Sequence, residues 1–155
     1  MSAQLIFDTA PLGALIRYSN GAPRPPARFT RKLSAWEREN GIGRLITREP
    51  GRAREQYTLP ASLALHAGDY GTPGCIVLVV NLIFHVTSKL DFTIVDVPTP
   101  GMARVVTSFE GVDTLRYLAT NHATAEAWLR EHHWSRARIE VVADDPTAPA
   151  LEQTV

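Results

Sequence analysis

The most constraining feature of the chain is a long apolar stretch, Cys75–Val97, which reads CIVLVVNLIFHVTSKLDFTIVDV. Counted at a period of two, its even-numbered residues from Ile76 to Val86 are all apolar and share one face. The odd-numbered face is apolar at its start and polar toward its end, which is typical of a strand that leaves a covered sheet for solvent. Ser88–Asp91 then reads as a turn, and Phe92 resumes a composition that favours strands. The stretch predicts a long hairpin at the centre of a sheet.

A transmembrane helix is the alternative interpretation of this stretch. About 20 apolar residues are needed to span a bilayer, and Asn81, His85 and Lys89 interrupt the run too early. The first 20 residues contain Asp8 and lack a basic region followed by an apolar one, so no secretory signal is expected. The single cysteine, Cys75, excludes an intramolecular disulfide and a cysteine metal cluster. We therefore expect a cytoplasmic protein without membrane contact.

The rest of the chain alternates short strand patterns with two helix patterns. Strands are predicted at Gln4–Phe7 and Ala14–Tyr18 (a hairpin around Pro11-Leu12-Gly13), at Arg44–Thr47, within Thr58–His66, at Ala103–Phe109 and Thr114–Ala119 (a second hairpin), and at Ala137–Ala143. Helices are predicted at Phe29–Asn40, with Gly41 as a left-handed C′ residue, and from the N-cap Asn121 to His133. The sum is an α+β fold: a single domain of residues 1–143 with a mostly antiparallel β-sheet and two helices packed on it. Residues 144–155 are polar and aperiodic, and predict a flexible C-terminal tail.

Charge is distributed unevenly along the chain, although the formal net charge is zero. Arg17–Arg54 holds ten lysines and arginines against three acids, a balance of +7. Residues 55–155 hold six basic and twelve acidic residues, a balance of −6, and Asp8 adds −1. Such a basic segment, with Tyr18, Phe29 and Trp36 interleaved, is expected for a surface that binds a phosphate backbone or an acidic protein.

Six cations of this segment are the candidate partner-binding residues. They lie on the helix face opposite Phe29, Leu33 and Trp36 and in the segment that follows the helix: Arg28, Arg31, Lys32, Arg38, Arg44 and Arg48. The alternative is a solvated helix face and an arginine-rich loop that form salt bridges with the acidic half of the same chain, because arginine binds carboxylates as readily as phosphates.

A second candidate site surrounds the glycine-rich turn before the apolar stretch. His66, Asp69, Tyr70 and Cys75 could line a pocket there, with Cys75 and His66 as nucleophile and base. A tight turn and a buried cysteine are the simpler interpretation. His132 and His133 are neighbours on a helix and point about 100° apart, so they do not suit one metal ion. The nucleotide-loop, zinc-protease, esterase and paired-cysteine motifs are absent from the sequence, and neither cofactor nor metal is expected.

Three stretches of the chain resemble a family of uncharacterised bacterial proteins associated with proteobacterial plasmids and integrative elements. They are Arg17–Leu45 (RYSNGAPRPPARFTRKLSAWERENGIGRL), Leu65–Leu78 (LHAGDYGTPGCIVL) and Thr124–Trp134 (TAEAWLREHHW). The resemblance covers nearly the whole chain except the tail and brings no activity or residue roles. It implies a small bacterial cytosolic protein, an accessory factor of mobile DNA.

Two functions of different classes follow from these observations. The leading hypothesis is a binding protein, not an enzyme, that docks nucleic acid or an acidic protein surface through the basic residues. The competing hypothesis is a small enzyme or ligand-binding domain with its pocket at residues 66–75. A structural protein that dimerises through a free sheet edge is a third possibility, which the sequence neither supports nor excludes.

Overall fold

The computed structural model describes residues 1–73 and 75–143. Its helices are α1 (Ala3–Thr9), α2 (Thr30–Glu39) and α3 (His122–His132). Its strands are β1 (Leu15–Ser19), β2 (Gly41–Glu49), β3 (Arg52–Ala53), β4 (Thr58–Leu59), β5 (Ser62–Thr72), β6 (Cys75–His85), β7 (Asp91–Asp96), β8 (Ala103–Phe109), β9 (Val112–Ala119) and β10 (Ala137–Val141). The tail predicted at residues 144–155 lies outside the described residues.

In the described part of the chain, eight strands form one antiparallel sheet, which confirms a mostly antiparallel α+β architecture. The order along its main path is β10-β8-β9-β2-β1-β7. Strand β5 pairs with the edge of β2 opposite to the edge that contacts β1 and β9, and β6 pairs with β5. Strands β3 and β4 form a separate two-stranded sheet. Three described helices accompany the sheet, one more than the sequence predicts.

The main core lies inside the curved part of the sheet formed by β7, β1, β2, β5 and β6. The rings of Tyr18 on β1 and Phe84 on β6 are 4.9 Å apart, although β2 and β5 separate their strands. Phe84 also meets Phe92 on β7 edge to face, with ring centroids at 5.4 Å. The sheet must therefore curl so that its distant strands approach each other over the core.

The N-terminal segment is a helix, so the predicted strand at Gln4–Phe7 is wrong. Ser2 is the N-cap, and its hydroxyl accepts a hydrogen bond from the Leu5 backbone N–H at 3.2 Å. Ala3, Ile6 and Ala10 are fully buried, and their spacing of three and four residues matches a helical stripe. Seven residues are too few for stable helicity alone, so packing of this stripe on the core decides the conformation.

The predicted central hairpin is also wrong, although both of its strands exist. Strand β6 pairs with β5, and β7 pairs with β1, so the two lie at different edges of the sheet. The inward face was predicted correctly in the part nearest the core, because Leu82 and Phe84 pack against it. Periodicity identifies which side chains face inward, but it does not identify the partner strand.

A second, smaller core lies between α3 and β8, β9 and β10. It contains Ala103, Val105, Ala119 and Ala125, with Trp128 packed against them. The β8–β9 hairpin is confirmed, and its turn holds Glu110 and Gly111 at positive φ, 50° and 82°, as a two-residue turn of mirror-image type requires. Asn121 is the N-cap of α3 as predicted.

Candidate anion-binding surface

Helix α2 lies outside both cores. None of its residues is buried in the described part of the chain, and Leu33 and Trp36 are only half-buried. The predicted helix is therefore present, but its apolar stripe does not enter the core. A shallow cavity of about 380 Å³ lies beside it, lined by Tyr18, Trp36 and Ile42 among others.

Polar contacts attach α2 to the end of β1. The indole Nε1 of Trp36 donates a hydrogen bond to the Ala22 carbonyl at 2.8 Å. The Asn40 side-chain oxygen accepts from the Ser19 hydroxyl at 2.8 Å, and its amide nitrogen donates to the Asn20 side chain at 3.0 Å. The helix is thus held at one end by side-chain hydrogen bonds, with little apolar burial to add to them.

The chain leaves α2 without the predicted left-handed glycine. Asn40 is extended, and Gly41 is already the first residue of β2. A Cβ on Gly41 would lie 2.6 Å from the Tyr18 hydroxyl oxygen. Glycine is required at this position because the Tyr18 ring packs directly on the backbone, and not because the backbone needs a positive φ.

Four cations of the basic segment are all exposed: Arg28, two residues before α2, and Arg31, Lys32 and Arg38 on α2. We call them the α2 cations. Within residues 1–73 and 75–143, none of them forms an ion pair with a carboxylate. Arg28 and Lys32 lie over the Phe29 ring, 4.8 and 5.2 Å from its centroid, where the ring face stabilises a positive charge.

Arg31 and Arg38 flank a shallow groove on one side of α2. The groove is also lined by Thr30 and by Ser34 and Ala35, the last two between the arginines. Seven residues separate these arginines, which corresponds to about 10 Å along the helix axis. The small side chains between them leave room for a ligand atom to approach the helix.

Arg17 adds an exposed cation that the sequence-based choice omitted. It lies on β1 beside the cavity that Trp36 lines. The signal was present in the sequence, because Arg17 alternates with Ile16 and Tyr18, which are both buried. A period of two places its side chain on the outer face of the strand.

Arg44 and Arg48 have a different environment, in which both bind the protein backbone. Arg44 donates to the Gly13 carbonyl at 2.6 Å, and Arg48 donates to the Phe7 carbonyl at 3.2 Å. Arg104 on β8 donates to the neighbouring Leu12 carbonyl at 2.8 Å. Burial lowers the pKa of Arg104. These three arginines, the backbone-bound arginines, stabilise the connection between α1 and β1.

The acidic half of the chain pairs mainly with cations other than the α2 cations. Asp113 and Glu140 both bind Arg138, each with an N···O distance of 2.8 Å. Glu110 lies 3.7 Å from Arg52, which also approaches Glu49. Within the described residues, carboxylates of the acidic half therefore form an ion pair with Arg52, but they form none with the α2 cations.

The second candidate site is only partly assembled. His66 Nε2 lies 2.7 Å from an Asp69 carboxylate oxygen. A bulge at Ala67 shifts the register of β5 against β6 between His66 and Gly68, so two residues that a regular strand would place on opposite faces share one.

Cys75 does not join this pair. It is exposed and pairs with Thr72 at the far end of the β5–β6 ribbon, roughly 20 Å along the strand from His66. The Tyr70 side chain lies outside what the structure describes. Among the described residues, no group of three or more histidine, cysteine, aspartate or glutamate side chains is arranged to hold a metal ion.

Comparison with known proteins assigns the chain to one family. Residues 1–146 match the model of the family described as uncharacterised conserved protein UCP036055. The chain belongs to this family. No curated protein and no solved structure matches it. Within the described residues, none of the helices has the length and apolar character needed to cross a membrane.

Proposed function

We propose that this protein binds an anionic macromolecule, in the first place nucleic acid, through the α2 cations. The observation that carries the proposal is the combination of exposure and isolation at Arg28, Arg31, Lys32 and Arg38. All four side chains are exposed, and none forms an ion pair with the described part of the chain. Cations held apart from internal carboxylates are available for phosphates.

The position of α2 supports the same function. A helix without buried residues contributes little to the hydrophobic core, so its sequence is free to serve an external partner. Its ten residues span about 15 Å, and a major groove about 12 Å wide accepts a single helix. The first turn of α2 contains no acidic residue that would repel a phosphate at the positive end of the helix dipole.

A binding protein agrees with this geometry better than an enzyme does. Three of the α2 cations lie on α2 and Arg28 lies two residues before it, whereas the structure does not bring the candidate nucleophile Cys75 to His66. Cytoplasmic location and a role as an accessory factor of mobile DNA belong to the same proposal, and the resemblance of Arg17–Leu45 and the two later stretches supports them.

The direct test is a binding titration against labelled duplex DNA and single-stranded RNA over a range of salt concentrations. Each phosphate contact releases counterions, so four contacts on duplex DNA predict a slope of log affinity against log salt of about −3 to −4. Replacing Arg31 and Arg38 together by alanine should flatten the slope by about 1 to 2 and weaken all sequences about equally.

The matched control removes the same amount of charge elsewhere. Lys89→Ala with Arg130→Ala replaces two exposed cations outside α2 and should leave both affinity and slope nearly unchanged. If the chain binds polyglutamate but neither nucleic acid at low salt, and the Arg31/Arg38 variant loses that binding, the partner is an acidic protein. If neither probe binds, the proposal is wrong.

A further inference from the structure

The sheet has three terminal strands, and only one of them has an unprotected outer edge within the described residues. Sheet edges of soluble proteins are normally short, charged, bulged or covered, because unpaired backbone groups recruit further strands. Strand β7 is covered, since Met1 and Phe92 exchange two backbone hydrogen bonds of 2.8 and 2.9 Å. Strand β10 has five residues and carries Arg138 and Glu140.

Strand β6 has none of these protections over most of its length. It has eleven residues, and its sequence, CIVLVVNLIFH, contains no lysine, arginine, aspartate, glutamate or proline. Its pairing with β5 shifts register twice, at Ala67 on β5 and at Val77 on β6, and every β6 residue from Leu78 to His85 is paired. Among the described strands it pairs with β5 alone, so its second edge, in which Asn81 and His85 interrupt the apolar residues, has no described strand partner.

The β5–β6 ribbon also extends beyond the sheet that supports it. Strand β2 pairs with β5 only from Ser62 to His66, whereas β5 and β6 remain paired as far as Thr72 and Cys75. Leu78 and Val79 lie in this extension and are 54% and 51% exposed. A two-stranded ribbon is marginally stable alone in water, so these apolar side chains need cover from another surface.

We infer that a second copy of this chain covers the edge, by antiparallel pairing of β6 with β6 about a two-fold axis at Asn81. In such a pair, facing side chains lie on the same side of the sheet, so the axis must pass through a residue position and not between two residues. With the axis at Asn81, Val79 faces Ile83 of the other copy, and each Asn81 faces its equivalent. Ile83 is 68% exposed. The two-fold axis repeats its contact with Val79 on each side of Asn81, so four exposed apolar side chains are covered.

The chemistry of the strand favours a second copy over a foreign segment. The strand carries no lysine, arginine, aspartate or glutamate, and an axis at Asn81 places His85 opposite position 77 of the other copy, so a symmetric pair brings no like charges together. A charged peptide would find no complementary charge along the strand. Two-fold pairing would also extend the sheet continuously from one protomer to the other, which satisfies the free backbone groups of both edges.

The test is the oligomeric state of the full chain, measured by sedimentation equilibrium from about 1 to 200 μM, a range suited to a micromolar dimer. A dimer is expected. Ile83→Lys should raise its dissociation constant at least about tenfold, because lysine on a free edge opposes pairing. The matched control, Phe109→Lys, replaces an equally accessible side chain (77% exposed) at the β8–β9 turn and should leave the dimer intact.

Two further variants test the pairing with little effect on the fold. Asn81→Asp is nearly isosteric at an exposed site, and places two carboxylates face to face, so it should weaken the dimer at pH 7 and much less at about pH 3. In a Cys75→Ser background, Asn81→Cys should form an intermolecular disulfide, because the axis brings its Cα atoms within bonding range. Ile83→Cys should not, since its equivalents lie roughly 13 Å apart. A monomer at all concentrations, a dimer that Ile83→Lys leaves unchanged, or faster crosslinking through position 83 would overturn the inference.

Discussion

Arg31 and Arg38 are exposed on α2 and pair with no carboxylate of the described residues. Arg44 and Arg48, only a few residues later, donate hydrogen bonds to the Gly13 carbonyl before β1 and to the Phe7 carbonyl at the end of α1. The two sets belong to one basic segment, yet one set is exposed to solvent and the other holds a loop in place. An arginine serves either role, because its planar group of five donors binds carbonyl oxygens as well as phosphates.

The comparison shows that local charge density does not by itself identify a binding surface. The balance of +7 between Arg17 and Arg54 includes arginines that the fold already uses. The two sets differ in the direction in which their helix or strand points the side chains. They also differ in whether a backbone carbonyl lies within hydrogen-bond distance. The predictions below test this separation, from the largest expected effect to the smallest.

Arg104→Ala should have the largest effect on stability. It removes a charged donor from the Leu12 carbonyl at a partly buried position and should lower the free energy of unfolding by about 1.5 to 3 kcal/mol. Urea unfolding monitored by circular dichroism measures the change. Binding of nucleic acid by the folded variant should be unchanged. If the variant is as stable as the original protein, the hydrogen bond from Arg104 does not stabilise the connection between α1 and β1.

Trp36→Ala should have a smaller and more local effect. The side chain is half-buried and makes one hydrogen bond, to the Ala22 carbonyl, so its loss should cost about 1 to 2 kcal/mol, less than for a fully buried tryptophan. Because α2 lies outside the cores, hydrogen exchange of its amides should accelerate while β1 and β2 remain protected. Trp134→Ala, at a 43% exposed site, is the control. Loss of protection across the whole sheet would show that α2 belongs to the core.

Asp113→Asn tests whether the acidic half is neutralised locally. Hydrogen bonds from Ser108 and Arg138 hold the pKa of Asp113 below its usual range. The folded chain therefore keeps this carboxylate charged at lower pH than the unfolded chain does, and its contribution is complete above about pH 4. It is lost as the pH falls from there through the folded pKa.

The size of this effect is limited by solvent, since 43% of the Asp113 side chain is exposed. The variant should be less stable at pH 7 by a few tenths to about 1 kcal/mol, and the difference should shrink in unfolding measurements below about pH 3. Binding through α2 should not change. A difference that grows on acidification would contradict the assignment.

Arg31→Ala with Arg38→Ala should have the smallest effect on stability. Both side chains are exposed and unpaired within the described residues, so the free energy of unfolding should change by less than about 0.5 kcal/mol. Arg44→Ala is the matched comparison, and it should cost more because the Gly13 carbonyl loses its donor. Equal losses in the two proteins would abolish the distinction between the sets.

Several elements could be predicted from the sequence because their signals are local. The β8–β9 hairpin follows from Glu110-Gly111 between two β-favouring runs, and α3 begins at its N-cap, Asn121. Two signals for the N-terminal helix are also present in the sequence, although the strand prediction does not use them: Ser2 as an N-cap, and the helical spacing of Ala3, Ile6 and Ala10. In a segment this short, a helical stripe and a strand pattern overlap, and packing decides between them.

The sequence by itself determined the inward face of β6 near the core, at Leu82 and Phe84, and where the positive charge is concentrated. Only the tertiary structure decided which strands pair and which arginines remain exposed. Strand β6 contains the same apolar residues whether it pairs with β7 or with β5, because periodicity encodes burial and not partnership. Arg31 and Arg44 likewise carry the same charge, and only the folded chain brings a backbone carbonyl within 2.6 Å of Arg44. Hydrogen bonds are short-ranged, so their partners depend on a geometry that exists only after the chain has folded.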